Sequence, residues 1–303
     1  MTQHDEQHKQ RCPACDSGTG TQVGQKNGVS MLRCQNCATL YAMNYPESSS
    51  SDNYEGYYDE HNLTVPAFVH RQLRTIIARF DPFRQTNRLL DIGCGSGVLL
   101  KAACAAGWEA EGLEVSGPAV KHIRGMGFTV FHGELADALY PTAHFDVVTA
   151  SELLEHVPDP QALVAEVVRI LRPGGLFWAT TPHGRGASAR LLGTRWSVVC
   201  PPEHLHLFSL SGMRGLLKTA GFSHPRILTH GVNPFEIWSA VRNRRQPAEN
   251  GAGGEGEHDR VASSYQLNEM FTKNQLTRAL KATFNGVLGL TRMGDSLKIW
   301  AVK

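Results

Sequence analysis

Leu89-Leu-Asp-Ile-Gly-Cys-Gly-Ser-Gly97 is the stretch on which the fold turns. Three apolar positions around an acid read as a short buried strand. Gly93, Gly95 and Gly97 then bring backbone close to a ligand and offer amides at the start of a helix, Val98 to Ala106, closed by Gly107. The spacing is not that of the dinucleotide fingerprint G-x-G-x-x-G, because the third gap is closed and Asp91 sits directly at the strand end.

Outward from this loop, short apolar runs alternate with helical patterns. A helix with Phe68, Leu73, Ile76, Ile77 and Phe80 on one face precedes it and stops before Pro82. WEAEGLE, FTVF from Phe128 and FDVVTA from Phe145 read as strands, and Asp159 with Pro160 marks the start of a helix that stops at Arg172-Pro-Gly-Gly175. GLFWATTP is a further strand, Ser211 is read as the cap of the next helix, a sixth strand lies around Ile227, and SLKIWAVK closes the chain as a seventh. The expected fold is α/β and Rossmann-like: seven strands, mostly parallel, with helices on both faces.

Two more acids follow strand ends. Glu114 lies 21 residues after Gly93, placed to accept ribose hydroxyls, and Glu134 follows Gly133 where an acidic side chain can take an adenine amino group. A cap at Asp91, a solvated strand end at Glu114 or a helix-start acid at Glu134 would each be ordinary alone; three acids at three successive strand ends form a set.

With these residues, Phe145–Pro160 (FDVVTASELLEHVPDP) and Leu171–Pro182 (LRPGGLFWATTP), the chain resembles the class I methyltransferase family over about residues 65–232 and the last strand. The resemblance implies S-adenosylmethionine as cofactor, which carries a sulfonium, an ammonium and a carboxylate but no pyrophosphate. It assigns cofactor binding to Asp91, Gly93, Gly95, Gly97, Glu114 and Glu134, with Ser151 and Glu152 near the methyl end. An NAD-type site is the competing reading of the loop, disfavoured by the glycine spacing.

Seven cysteines divide unevenly. Cys12-x2-Cys15, 18 residues, then Cys34-x2-Cys37 has the spacing of a four-cysteine zinc ribbon, in which metal binding supplies folding free energy that so few apolar residues cannot. A redox or disulfide pair is the other reading. Residues 1–45 are thus a ribbon segment and 46–64 a connector. Residues 65–303 form the methyltransferase domain, with a disordered insertion at 242–264 and a helical cap at 265–290.

On the acceptor side, Pro201–Ser209 (PPEHLHLFS) gathers Glu203, His204 and His206. Two histidines two apart in an extended segment point the same way and can offer a general base, His204 being the first candidate; a packed loop capped by Ser209 or Ser211 is the bland alternative. His156 and His183 are further candidates at strand ends. The loop resembles that of bacterial methyltransferases pairing a zinc ribbon with this fold, which implies a small-molecule acceptor such as a saccharide, glycan precursor or related metabolite, methylated on a hydroxyl or a carbon.

Thirty Lys and Arg against 28 Asp and Glu give a net charge of +2, too balanced to demand nucleic acid. RNA base methylation, with Arg71, Arg74, Arg79, Arg84 and Arg88 as a basic strip, stays open as an alternative, as does a module that binds cofactor or partner without turnover. No stretch approaches the roughly 18 uninterrupted apolar residues of a membrane span, so the expectation is a cytoplasmic protein.

Overall fold

The computed structural model describes residues 11–45, 65–242, 283 and 286–303. The connector at 46–64 and most of both the insertion at 242–264 and the cap at 265–290 lie outside the described residues; 286–291 are helical.

The ribbon opens the chain with β1 (Gly20–Lys26), β2 (Val29–Cys34) and β3 (Leu40–Met43), joined as antiparallel neighbours. Helix α1 (Ala67–Ile77) follows and is shorter than its periodicity suggests, because the chain tightens into a single turn at Asp81–Phe83 around Pro82. Then come β4 (Arg88–Ile92), α2 (Val98–Ala105), β5 (Glu109–Glu114), α3 (Gly117–Gly125), β6 (Val130–His132) and β7 (Phe145–Ser151). Asp159 caps α4 (Pro160–Ile170) by accepting from the Ala162 N–H at 2.9 Å, with Pro160 as the first helical residue.

Strand β8 (Leu171–Pro182) runs four residues longer at its start than the sequence suggests, straight out of α4. After α5 (Ala187–Leu192) and the two-residue β9 (His206–Leu207) comes α6 (Leu210–Ala220), followed by β10 (Arg226–His230), α7 (Pro234–Arg242) and β11 (Ser296–Val302). The cap of α6 is Ser209, not Ser211: the Ser209 hydroxyl accepts from the Gly212 N–H at 2.9 Å, while Ser211 lies in the first turn and donates to the Cys37 carbonyl at 2.7 Å. Helix α7, with Asn233 accepting from the Glu236 N–H at 3.3 Å, falls where the sequence pattern breaks down.

The main sheet runs β10-β11-β8-β7-β4-β5-β6. Six strands run in one direction, five of them paired side by side in parallel, and β11 is antiparallel to both its neighbours. Central strands are apolar on both faces, as β7 shows with Phe145, Val147, Val148 and Ala150 fully buried, because helices cover both sides.

The ribbon is not an appendage. Strand β9 adds to its edge, with Leu40 opposite Leu207 and Tyr41 opposite His206, so the second sheet reads β1-β2-β3-β9. A shared core follows, in which Val29, Met31, Leu40 and Ala42 of the ribbon pack with Leu192, Trp196, Val199, Leu205 and Leu207. Each large apolar side chain in it contributes about 1.5–3 kcal/mol. No helix among the described residues is long and apolar enough to cross a membrane.

Candidate active site

Parallel strands all point the same way, so the loops after β4, β5, β6, β7 and β8 gather at one edge of the sheet. Leaving β4, the chain takes left-handed conformations at Gly93 (φ 66°), Gly95 (φ 50°) and Gly97 (φ 69°). A β-carbon at Gly93 would also stand 2.9 Å from Leu153, so a side chain there meets both strain and crowding.

Glu114, buried at the end of β5, holds this loop. One carboxylate oxygen accepts from the Gly95 N–H at 2.9 Å, the other from the Val115 and Ser116 N–H groups at 2.9 and 3.0 Å. Three of its roughly four acceptor positions are therefore taken by backbone, a scaffold role that sequence reading missed. Asp91 is buried on β4 and accepts from the Thr149 hydroxyl of β7 at 2.6 Å. Burial pushes its pKa up to about 7, with the Thr149 hydrogen bond pulling down and the Glu114 charge pushing up. Glu134 follows β6 on the exposed surface, so the three expected acids do stand at the ends of three adjacent strands.

The other half of the edge is built around the turn after β7. Ser151 pairs with the Thr180 hydroxyl at 3.0 Å, and the Glu152 N–H donates to the Thr180 carbonyl at 2.9 Å, with Glu152 at φ 49°. Glu155 is fully buried and accepts from the Thr181 hydroxyl at 2.9 Å, while its second oxygen has no partner among the described residues. Burial, reinforced by Glu152, drives its pKa up to about 8, with His204 opposing.

His156 Nδ1–H donates to the Glu203 carbonyl at 2.9 Å and His204 Nδ1–H to the Val198 carbonyl at 2.7 Å. These bonds fix the tautomers, so each neutral ring keeps its lone pair on Nε2. The two rings meet edge to face at 4.6 Å, and one ligand-type atom each from Glu155, His156 and His204 lies within 4.8 Å of the others. Glu155 was not singled out from the sequence; a Glu-His pair closely following a strand end was the available signal.

His206 behaves differently from His204, although two residues away. It is buried in β9, its Nε2–H donates to the Val157 carbonyl at 2.9 Å, and burial holds its pKa down to about 4. The pair thus uses opposite ring nitrogens, and His206 ties the loop to the turn after β7. Glu203 contributes its backbone carbonyl to His156; its side chain is half-buried.

In the ribbon, Cys12 and Cys37 sulfurs lie 3.5 Å apart and Cys15 and Cys34 sulfurs 3.6 Å apart, with all four within 4.8 Å. Four thiolates at about 2.3 Å from a central zinc ion would stand slightly under 4 Å apart, so the set fits a tetrahedral ion. The Cys37 N–H and the Asn36 amide point at Cys34 and Cys15 sulfurs, at 3.4 and 3.5 Å. A concavity of about 340 Å³ beside Arg88, Trp108 and His144 lies at the opposite end of the strands and contains none of these groups. Arg84 and Arg88 of the expected basic strip are there too, Arg84 held by Asp81 and stacked on Trp108.

The model of the methyltransferase domain family matches residues 66–224, just over half of the chain. The ubiquinone biosynthesis O-methyltransferase of Aromatoleum aromaticum is 41% identical over 162 residues, covering 49% of this chain and 69% of that protein. Its counterpart in Methylococcus capsulatus is 38% identical over 132 residues, covering 40% and 55%. The chain thus spans about half to two thirds of the length of these relatives. A solved S-adenosylmethionine-dependent methyltransferase from Archaeoglobus fulgidus shares the fold at a TM-score of 0.50 and 17% identity, covering 77% of this chain and 94% of that one.

Proposed function

The chain belongs to the methyltransferase domain family, and from that premise we propose that it transfers a methyl group from S-adenosylmethionine to a hydroxyl of a small molecule, with His204 as general base. The observation that carries this reading is the Val198 carbonyl on His204 Nδ1–H, which leaves Nε2 basic beside the turn after β7. The O-methyltransferase names of the relatives support an oxygen acceptor over a carbon; they lend no support to a saccharide.

When bound, the cofactor supplies an electrophilic methyl on a sulfonium. Asp91, Glu114 and Glu134 hold and orient it, and the glycine turn lets it approach the backbone closely, its own Gly93, Cys94, Gly95 and Gly97 N–H groups being taken by Leu113, Glu114 and Cys94; Ser151 and Glu152 border its methyl end. Alignment of oxygen and methyl carbon does much of the work, and His204 takes the proton from the acceptor hydroxyl. Replacing His204 by Ala should lower turnover by about 100-fold or more while S-adenosylhomocysteine affinity stays the same. Unchanged turnover would remove His204 from this role. Absence of turnover in the native protein with every hydroxyl acceptor tried, despite tight cofactor binding, would favour a module that binds without catalysis. RNA as acceptor is disfavoured by the position of Arg84 and Arg88 at the far end of the sheet.

The four ribbon cysteines, in the same reading, hold a structural zinc ion. A zinc content below about 0.5 equivalents in folded protein would remove that assignment. One observation supports a second role for the histidines: with both Nδ1–H groups on carbonyls and a buried carboxylate oxygen beside them, Glu155, His156 and His204 can ligate a divalent ion that polarises the acceptor hydroxyl. Two metal equivalents per chain, reduced to one in a Glu155→Gln variant, would favour it over the base; one equivalent in both would exclude it.

A further inference from the structure

Arginine side chains from two elements reach the same stretch of backbone where the ribbon abuts the outlet of β8. Arg33 on β2 donates from Nη1 to the carbonyls of Ala38 and Gly184, at 3.2 and 3.1 Å. Arg190 on α5 donates from Nε to the carbonyl of Arg185 at 2.8 Å. Two guanidinium groups from separate elements therefore grip adjacent peptides, and Arg185 itself lies at that grip. Among the described residues the arginines in ion pairs are Arg11, Arg84, Arg169 and Arg172, so none of these three has an acidic partner.

The Asp295 carboxylate next to this stretch is taken up by the Ser188 N–H and hydroxyl, at 2.9 and 2.5 Å, rather than by these arginines, of which Arg33 and Arg185 are half-buried. Burial first and the Arg185 charge second lower the pKa of Arg33, and buried His183 is held down at about 4 by burial first and then by Arg190 and Arg185. Each guanidinium offers five N–H donors, and most remain uncommitted: Arg33 uses Nη1, Arg190 uses Nε, and the Arg185 side chain makes no hydrogen bond to a described residue. Such forks match the oxygens of phosphate and carboxylate groups.

The place matters as much as the charge. Thr180, two residues before the end of β8, bonds Ser151 and the Glu152 backbone, and Arg185 follows that end by three residues. On the ribbon side, Arg33 is opposite Leu40 in the sheet and Leu40 is opposite Leu207, next to His206. Gly184, whose carbonyl Arg33 grips, also donates from its N–H to the Phe208 carbonyl at 2.9 Å, four residues after His204.

We propose that Arg33, Arg185 and Arg190 form an oxyanion subsite that receives the phosphate or carboxylate of an acidic methyl acceptor. This deepens the methyl-transfer reading and rests on it for the word acceptor; the subsite itself is testable without turnover. Thermal unfolding of the full-length, zinc-loaded chain would be followed against inorganic phosphate and against malonate, at fixed ionic strength with potassium chloride as the control. The wild type should show a saturable rise in Tm with at least one anion. In Arg185→Gln/Arg190→Gln, and separately in Arg33→Gln on the other element, the apparent Kd should weaken at least fivefold while S-adenosylhomocysteine affinity stays within twofold. A response to phosphate alone identifies a phosphorylated acceptor, one to malonate alone an acceptor acid. No response beyond chloride, or an undiminished one in both variants, overturns the subsite. Loss of methyl transfer in any later assay would leave either outcome standing.

Discussion

The glycine-loop side of this sheet edge, proposed to hold the cofactor, and the His204 side, proposed to receive the acceptor, lie next to each other but are held by contacts of different range. On the cofactor side, the Gly95 amide reaches Glu114 only 19 residues away, and the loop, helix and next strand form one βαβ unit. On the acceptor side, Thr39 accepts from the Ser209 amide, Ser211 donates to the Cys37 carbonyl and Asn27 donates to the Pro201 carbonyl, spanning 170, 174 and 174 residues. The turn after β4 is shaped by nearby residues of one βαβ unit, whereas the loop with His204 takes its shape from a segment some 170 residues earlier. The acceptor half should therefore fail first when the ribbon fails.

The largest expected effect separates the halves. Cys34→Ser should remove zinc and loosen β3 from β9, lowering turnover by about 100-fold or more with S-adenosylhomocysteine affinity preserved in calorimetry. A parallel collapse of cofactor affinity would show that the two halves are one unit. The reciprocal change is Asp91→Ala, which should weaken S-adenosylhomocysteine binding about 10- to 100-fold and leave one equivalent of zinc in the ribbon.

The halves should also answer pH in opposite directions. On the cofactor side the Asp91 pKa is raised to about 7, above its unfolded value, so the folded chain holds the extra proton. Its contribution to stability is therefore present below about pH 4 and declines as pH rises through 7, while affinity for the cationic cofactor increases as the carboxylate forms. S-adenosylmethionine should bind several-fold more tightly at pH 8 than at pH 6, and Asp91→Asn should flatten that dependence. On the acceptor side, burial lowers His206 and His183 to about 4, below the unfolded value near 6.5. Their contribution is present above pH 6.5 and is lost as pH falls toward 4, visible in urea titrations as a declining midpoint that His206→Gln reduces.

The smallest effect is the finest probe. Ser211→Ala deletes one hydroxyl donor to the Cys37 carbonyl and should cost about 0.5–1.5 kcal/mol, with a modest loss of turnover and no change in cofactor affinity. If cofactor affinity shifts instead, the ribbon reaches further into the sheet than its hydrogen bonds indicate.

What the sequence determined by itself is what neighbouring residues decide. The glycine loop needs left-handed backbone at three positions, Asp159 and Pro160 start a helix by capping chemistry, apolar runs set the strands, and two cysteine pairs at knuckle spacing close a metal-sized cage. Tertiary structure alone decided the rest. Strand β9 is two residues long and has no periodicity to read, so its pairing with β3 exists only because the ribbon arrives there. His204 and His206 are alike in sequence, yet one rests on the Val198 carbonyl with its basic nitrogen available and the other is sealed against Val157. Glu155 acquires its buried, raised carboxyl, and Arg33 its place beside Arg185, from elements far apart in the chain. Burial and the identity of a hydrogen-bond partner are properties of the packed neighbourhood, and no local pattern specifies which distant segment will supply it.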